Sequence, residues 1–398
     1  MKEEPTVEHG QRMLGGLNRI FHCNHYNAHL QMAVLLAEGV EDGFDPRRLL
    51  VEASAGLVAS LRERGYSRQD LIDDYTWCGF GAPQFLSPTL IRLQGAHYGQ
   101  TCYSLARPGK ICFCDTGIFE GMTGHRVREI ACRHERSDAD LFEVLAEPSD
   151  ARHRLQFAPP FVDAPPRFGF DGCEIDETPI DEDAIIAAVA GLPLYGKSPE
   201  AGGDGLIRAF GVALTNHYAD YYNLISYETY ACLRRAGVPH ELAAEAFVQC
   251  GHVCAFHTFG GIMESPEFHG LVVPQCRGVE DWVHGMVAVI NAFGWGVWRV
   301  EKIVPGRELV IRIYNSYEGI GYRRLYPQTD RRETSFFNMG GVRGLAHLFW
   351  KIDIRQRPGL TQDFYFKAFN EPTGYWEVEQ THAIAAGDGY DRIVTRHA

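Results

Sequence analysis

The chain has no run of lysine and arginine, and its 38 basic residues are outnumbered by 51 acidic ones, for a formal net charge of -13. Nucleic acid and anionic membranes both require a basic footprint, so neither is expected as a partner. No apolar stretch approaches the length that crosses a bilayer, and no membrane span is expected. The opening Met1-Lys2-Glu3-Glu4-Pro5 lacks the apolar segment of a secretory signal. The 11 cysteines are odd in number and scattered over 398 residues, unlike the dense, even framework of a small secreted scaffold. They read as reduced thiols, and the expected compartment is the cytoplasm. Phosphate loops are missing too, because Gly202-Gly203-Asp204-Gly205 has no following lysine, and no Gly-x-Ser-x-Gly elbow occurs. The sequence fixes no reaction.

What is present is a globular composition. Hydrophobic residues make up 45% and aromatics 12%, enough for two or three domains, each with a core. Residues 147–205 stand apart as a connector, carrying Pro148, Pro159, Pro160, Pro165, Pro166, Pro179, Pro193 and Pro199 before Gly202 and Gly203. One short helix, Asp181 to Ala190, is expected inside it, with acidic residues at its positive end. The division is therefore a first domain at 1–146 and a second at 206–398.

The two halves share a pattern. In the first, Asn24-His25-Tyr26 opens a helix, Asp45-Pro46 a second, and Ser67 a third that closes near Cys78-Gly79. In the second, Asn216-His217-Tyr218 opens a helix ending at Gly237, Pro239 starts the next, and a third runs from Val279 to Phe293. Alternating residues on either side of Pro305-Gly306 then predict a β-hairpin. The expected fold class is α+β: two divergent copies of a helices-plus-antiparallel-sheet domain, arranged as a pseudo-dimer.

The sharpest stretch is Ile111-Cys112-Phe113-Cys114-Asp115-Thr116-Gly117-Ile118-Phe119-Glu120-Gly121, followed by Val127-Arg128-Glu129-Ile130-Ala131-Cys132. It resembles the 4-vinyl-reductase-type, or hydrocarbon-binding, domain, and in particular the effector-sensing domain of bacterial activators that respond to phenol or xylene. That family's pattern is a cysteine, a Gly-x-x-x-Gly helix, Glu-x-x-Cys and a further cysteine, whose thiols and glutamate hold a structural zinc. The resemblance implies Cys112, Glu129 and Cys132 as ligands, with Asp140 at the fourth position in place of cysteine. A carboxylate binds zinc as well. His134 is a further donor nearby.

In the second half the resemblance places Gly340-Gly341-Val342-Arg343-Gly344 on the glycine helix and Glu379-Gln380-Thr381-His382 on Glu-x-x-Cys, with His382 in the thiol place. The outer cysteine positions fall near Ser335 and Tyr390, which implies a lost zinc site. The same resemblance implies an aromatic-effector pocket in this half, with His284 and Tyr314 orienting the ligand. His252 and Trp282 are added as pocket candidates, His252 because it points away from the Cys250, Cys254 and His257 face. No ATPase motor or helix-turn-helix accompanies the resemblance.

Chemistry alone gives two more readings. His22, His25 and His29 are spaced to present three imidazoles on one helical face, an alternative metal site or merely a polar face. The aromatic residues of the second half suit a planar-ligand pocket or an ordinary core equally. The expected function is binding of a small hydrophobic or aromatic molecule, with zinc in the first repeat. The alternative is a metal- or haem-dependent enzyme, with iron, copper or haem as its centre. A homo-oligomer is a further expectation.

Overall fold

The computed structural model describes residues 5–102, 109–152, 161–326, 334–370 and 374–397. Pro159 and Pro160 of the connector lie outside them. The first half opens with β1 (Thr6–Glu8), β2 (Gln11–Leu14) and β3 (Leu17–Cys23), followed by α1 (Asn24–Leu35), α2 (Pro46–Glu63) and α3 (Arg68–Trp77). Then come β4 (Ala82–Ser87), β5 (Leu90–Gln94), α4 (Phe113–Thr123), β6 (His125–Ala131) and β7 (Asp140–Pro148). α5 (Glu182–Ala190) stands between the halves.

The second half repeats this order with insertions. It runs β8 (Ile207–Ala209), β9 (Val212–Tyr218), α6 (Ala219–Arg235), α7 (His240–Cys254), α8 (Gly260–Glu264), α9 (Pro266–Leu271) and α10 (Val279–Asn291). β10 (Val297–Val304), β11 (Glu308–Tyr314), α11 (Tyr317–Leu325), α12 (Phe336–Trp350), α13 (Gln362–Phe369), β12 (Trp376–His382) and β13 (Asp391–His397) complete it. The fold is α+β, as the patterning predicts.

Local chemistry explains the helix starts. Asp45 accepts from the N–H groups of Arg47 and Arg48, with Pro46 in the first turn where its missing donor costs nothing. Ser67 and Asp70 form a reciprocal capping box at α3. Asp181 accepts from Ala184 N–H to start α5.

Each half builds its own four-stranded antiparallel sheet, in the orders β4-β5-β7-β6 and β10-β11-β13-β12, which are the same topology twice. A third sheet, β1-β2-β3-β9-β8, is shared. At its centre β3 pairs antiparallel with β9, matching Arg19 with Tyr218, Phe21 with Asn216 and Cys23 with Leu214. Both strands follow a glycine turn and both are seven residues long, so Leu17 corresponds to Val212, Phe21 to Asn216 and His22 to His217. Phe21 and Asn216 face each other, so a pseudo-twofold axis passes between them.

This register corrects two expectations. Asn216-His217-Tyr218 closes a strand, and α6 starts after it. The shared Asn-His-Tyr triplets therefore sit at unlike places, and His25 is not the counterpart of His217. His22 lies on β3, not on the helix with His25 and His29, so the three imidazoles do not share one face. An extended strand carries alternate side chains to opposite faces, which breaks the helical spacing at its last residue.

The glycine helices do what small residues allow. α4 packs on α2, and a Cβ on Gly117 would collide with the Val51 carbonyl oxygen. In the second copy a Cβ on Gly340 of α12 would strike the Val248 carbonyl oxygen of α7. Gly81 and Gly296, at matching strand starts, have φ of 131° and 112°, a region closed to other residues at little cost.

Candidate functional site

The β6–β7 hairpin turns back through Arg133–Glu135, with Arg136 in the left-handed region. That turn brings Cys132, just past β6, and Asp140, at the start of β7, against Cys112 at the start of α4 and Glu129 on β6. One ligand atom from each of Cys112, Glu129, Cys132 and Asp140 lies within 4.8 Å of all the others, and all four residues are buried. The two Sγ atoms are 3.8 Å apart, and Cys112 Sγ is 4.0 Å from Asp140 Oδ1. Glu129 Oε2 accepts from Cys112 N–H at 3.2 Å, and Asp140 Oδ1 from Arg133 N–H at 2.9 Å. Among the described residues, Glu129 Oε1 and Asp140 Oδ2 are buried without a well-aligned hydrogen-bond partner, although Arg133 Nε stands 3.5 Å from Asp140 Oδ2.

The electrostatics match a group of acids crowded out of water. Burial raises the Glu129 carboxyl to about 9 and pushes the Cys112 thiol and the Asp140 carboxyl up. Cys132 is held down at about 7, chiefly by its hydrogen bond with Cys112. Two soft thiols and two hard carboxylates with unused lone pairs form a donor set able to hold a metal ion. His134 belongs to the turn and is no member of the quartet.

In the second copy the same frame is closed by hydrogen bonds. Ser335 Oγ donates to Asp391 Oδ2 at 2.6 Å, and Gln380 Nε2 to Asp391 Oδ1 at 2.9 Å. The N–H groups of Thr334 and Ser335 donate to Gln380 Oε1, and that of Ile384 to Asp391 Oδ1. Ser335, Gln380, Ala383 and Asp391 thus stand where Cys112, Glu129, Cys132 and Asp140 stand in the first. Ser335 agrees with the sequence expectation. His382 and Tyr390 each fall one residue short of the matching positions, Ala383 and Asp391, since both hairpins carry their bulge at the same place. Their rings stack on each other at 5.3 Å instead.

The four pocket candidates keep separate company. His284, on α10, meets Phe168, and burial lowers its pKa to about 4. Trp282 packs on Phe268 and His269. Tyr314 meets Tyr390. His252 is locked in a relay. Trp376 N–H donates to His347 Nε2, so His347 Nδ1 carries the proton and donates to His252 Nε2 at 2.7 Å, and His252 Nδ1 donates to Tyr365 Oη at 2.8 Å. Of the alternative histidine set, His29 Nδ1 bonds the His25 carbonyl, and His25 stacks at 3.6 Å on His257.

The structure draws attention elsewhere, to the corresponding histidines at the ends of the two central strands. His22 is enclosed by Tyr26, Tyr222, Trp295, Tyr317 and Phe337. His217 lies among Phe80, Tyr218, Tyr221 and Tyr222. Its Nε2 is 3.3 Å from both Tyr98 Oη and Cys114 Sγ. Burial holds both imidazoles well below their usual pKa, so they are neutral. Among the described residues, His217 Nδ1 and Tyr221 Oη are buried with no partner at good hydrogen-bond geometry, although Tyr98 and Cys114 lie close to the Tyr221 hydroxyl and the Tyr218 backbone close to His217. The sequence signal for this pair was a histidine near the end of a strand that follows a glycine turn, visible only once the copies are aligned on that turn.

No protein-family model and no curated protein matches the chain. Among solved structures, the phenol-responsive sensory domain of the transcription activator PoxR, determined with phenol, is similar at a TM-score of 0.37 and 12% identity. The match covers 54% of this chain and 89% of that one. Likeness at this level carries no inference about what this chain binds. Among the described residues, no helix is long and apolar enough to cross a membrane.

Proposed function

We propose that the protein binds a small aromatic or hydrophobic molecule at the seam between its two repeats, with a structural zinc held in the first by Cys112, Glu129, Cys132 and Asp140. The observation that supports binding is the aromatic cage of His217, where an imidazole nitrogen and the Tyr221 hydroxyl are buried without a well-aligned partner among the described residues. Leaving such groups unsatisfied costs about 1–3 kcal/mol each. A guest with one hydroxyl among apolar atoms, such as a phenol, satisfies such groups while its ring is buried among apolar side chains. Small-molecule sites have this character, apolar walls with few polar contacts. Among the described residues, the ring contacts of His284, Tyr314, His252 and Trp282 share no partner, so the reading rests on the cage.

The metal reading is supported by the donor set, which suits a four-coordinate zinc. A catalytic thiol is disfavoured, because burial keeps the Cys114 thiol protonated and His217 neutral. The expected result is a rise in melting temperature on titration with phenols, absent in His217→Phe. A ligand at one hundred times its Kd adds about 2.7 kcal/mol to stability. An unchanged melting temperature over a broad panel of phenols would refute the binding reading. Elemental analysis should give one zinc per chain, lost in Cys112→Ser.

A further inference from the structure

The seam between the repeats holds a second pair of thiols. Cys23 ends β3, and Cys254 ends α7 of the other repeat. Their Sγ atoms are 3.9 Å apart, and both residues are fully buried. Cys23 Sγ accepts from Tyr26 N–H at the start of α1. Cys254 Sγ is 3.7 Å from His22 Nδ1 and 3.6 Å from Thr258 Oγ1. Close by in sequence, the stacked rings of His25 and His257 line an open cleft of about 540 Å³, together with Glu264 and Ser265.

We infer that Cys23 and Cys254 form a redox-active dithiol joining the two repeats, oxidised to a disulfide by hydrogen peroxide entering from the cleft. The chemistry divides unequally between the sulfurs. Burial opposes a Cys23 thiolate, but Cys254, Thr258 and the N–H groups of Tyr26 and His25 outweigh it and hold the pKa below the usual thiol value. Burial pushes Cys254 up. Because Cys23 Sγ caps α1 and accepts from the Tyr26 N–H, which favours a thiolate there, Cys23 is the attacking sulfur and Cys254 the resolving one.

The Cys23 thiolate attacks one peroxide oxygen and the O–O bond breaks. The released hydroxide takes a proton and leaves as water, and Cys23 becomes a sulfenic acid. The Cys254 sulfur then displaces hydroxide from the Cys23 sulfur, and the Cys254 proton joins that hydroxide as the second water. Two thiols and one peroxide thus give one disulfide and two waters, the peroxide being reduced. The sulfurs must close from 3.9 Å to about 2.05 Å, a shift that side-chain rotation and a small approach of the two elements supply.

The test uses the reduced full chain, treated with hydrogen peroxide, alkylated and digested without reductant. The expected product is a cross-linked peptide pair carrying Cys23 and Cys254, with loss of both alkylatable thiols and recovery on reduction. Cys23→Ser should abolish the cross-link and leave Cys254 alkylatable once the digest is unfolded. Recovery of both thiols free, after the less buried Cys173 and Cys276 have reacted, overturns the inference. Pairing of Cys23 with Cys102 in place of Cys254 overturns it equally. The wild-type result decides even where a variant fails to fold.

Discussion

Arg19 and Asp74 are an ion pair with almost no water, their side chains 1% and 4% exposed. Two guanidinium hydrogen bonds of 3.0 and 2.9 Å join them, and Tyr218 Oη donates to the same carboxylate. The guanidinium also lies 3.9 Å from the centroid of the Tyr218 ring. Asp74→Ala strands a buried cation, so it should cost about 3–5 kcal/mol in urea unfolding. A loss below about 1 kcal/mol would mean that water already reaches the pair. At this scale the sequence is legible where a residue type states its chemistry. Cys112, Glu129, Cys132 and Asp140 are legible because thiols and carboxylates at hairpin spacing announce a cluster. Arg19 and His217 are not, since a lone charged residue or histidine in a strand says nothing about which side chains will surround it.

Among the elements, α2, α3, α5 and the β10–β11 hairpin follow from neighbours in sequence: Asp45-Pro46, Ser67 with Asp70, Asp181, and Pro305-Gly306. These signals are local and survive any tertiary context. The pairing of β3 with β9 is different in kind, because neither strand carries a mark of a partner so distant along the chain. Helix–helix contacts fall between the two cases. The Gly-x-x-x-Gly pattern shows that something approaches closely, and the structure shows that it is the α2 backbone. Gly117→Ala should destabilise by about 1–3 kcal/mol or more, since the added methyl meets backbone that cannot rotate away. Gly340→Ala should do the same in the second copy. Denaturation midpoints equal to that of the parent protein would show that these helices have room to separate.

For the molecule as a whole, burial sets the response to acid. The pKa values of His25 and His284 fall to about 4, those of His97 and His257 to about 3, and that of His347 to about 2, each mainly through loss of water. The unfolded chain takes up protons near pH 6.5 that the native chain refuses, so each ring's contribution falls as pH drops through its window. The slope is about 1.4 kcal/mol per pH unit for each ring. Glu318 and Asp391, raised by burial to about 8 and 6, oppose this by holding protons that the unfolded chain releases. These rings, joined by the buried His22 and His217, outweigh the two carboxyls and leave stability falling from pH 6.5 towards 4. Urea midpoints at pH 7 and pH 5 check this, and a higher midpoint at pH 5 contradicts it. The shared sheet makes a second whole-molecule prediction. A fragment of residues 1–146 should self-associate in light scattering, because it exposes the edge of β3 that β9 covers. A stable monomeric fragment would show that the seam is dispensable.

That seam also has a consequence for how the chain can change. Two identical subunits meeting at a twofold axis inherit every substitution twice, so an alteration that suits one partner is forced on the other. With both partners in one polypeptide, dilution cannot part them, and each may drift alone. The first has kept a thiol where the second has Ser335, and the second has replaced Cys114 with Phe337 beside its own caged imidazole. Asymmetry of this kind leaves each half open to a task that the other does not share.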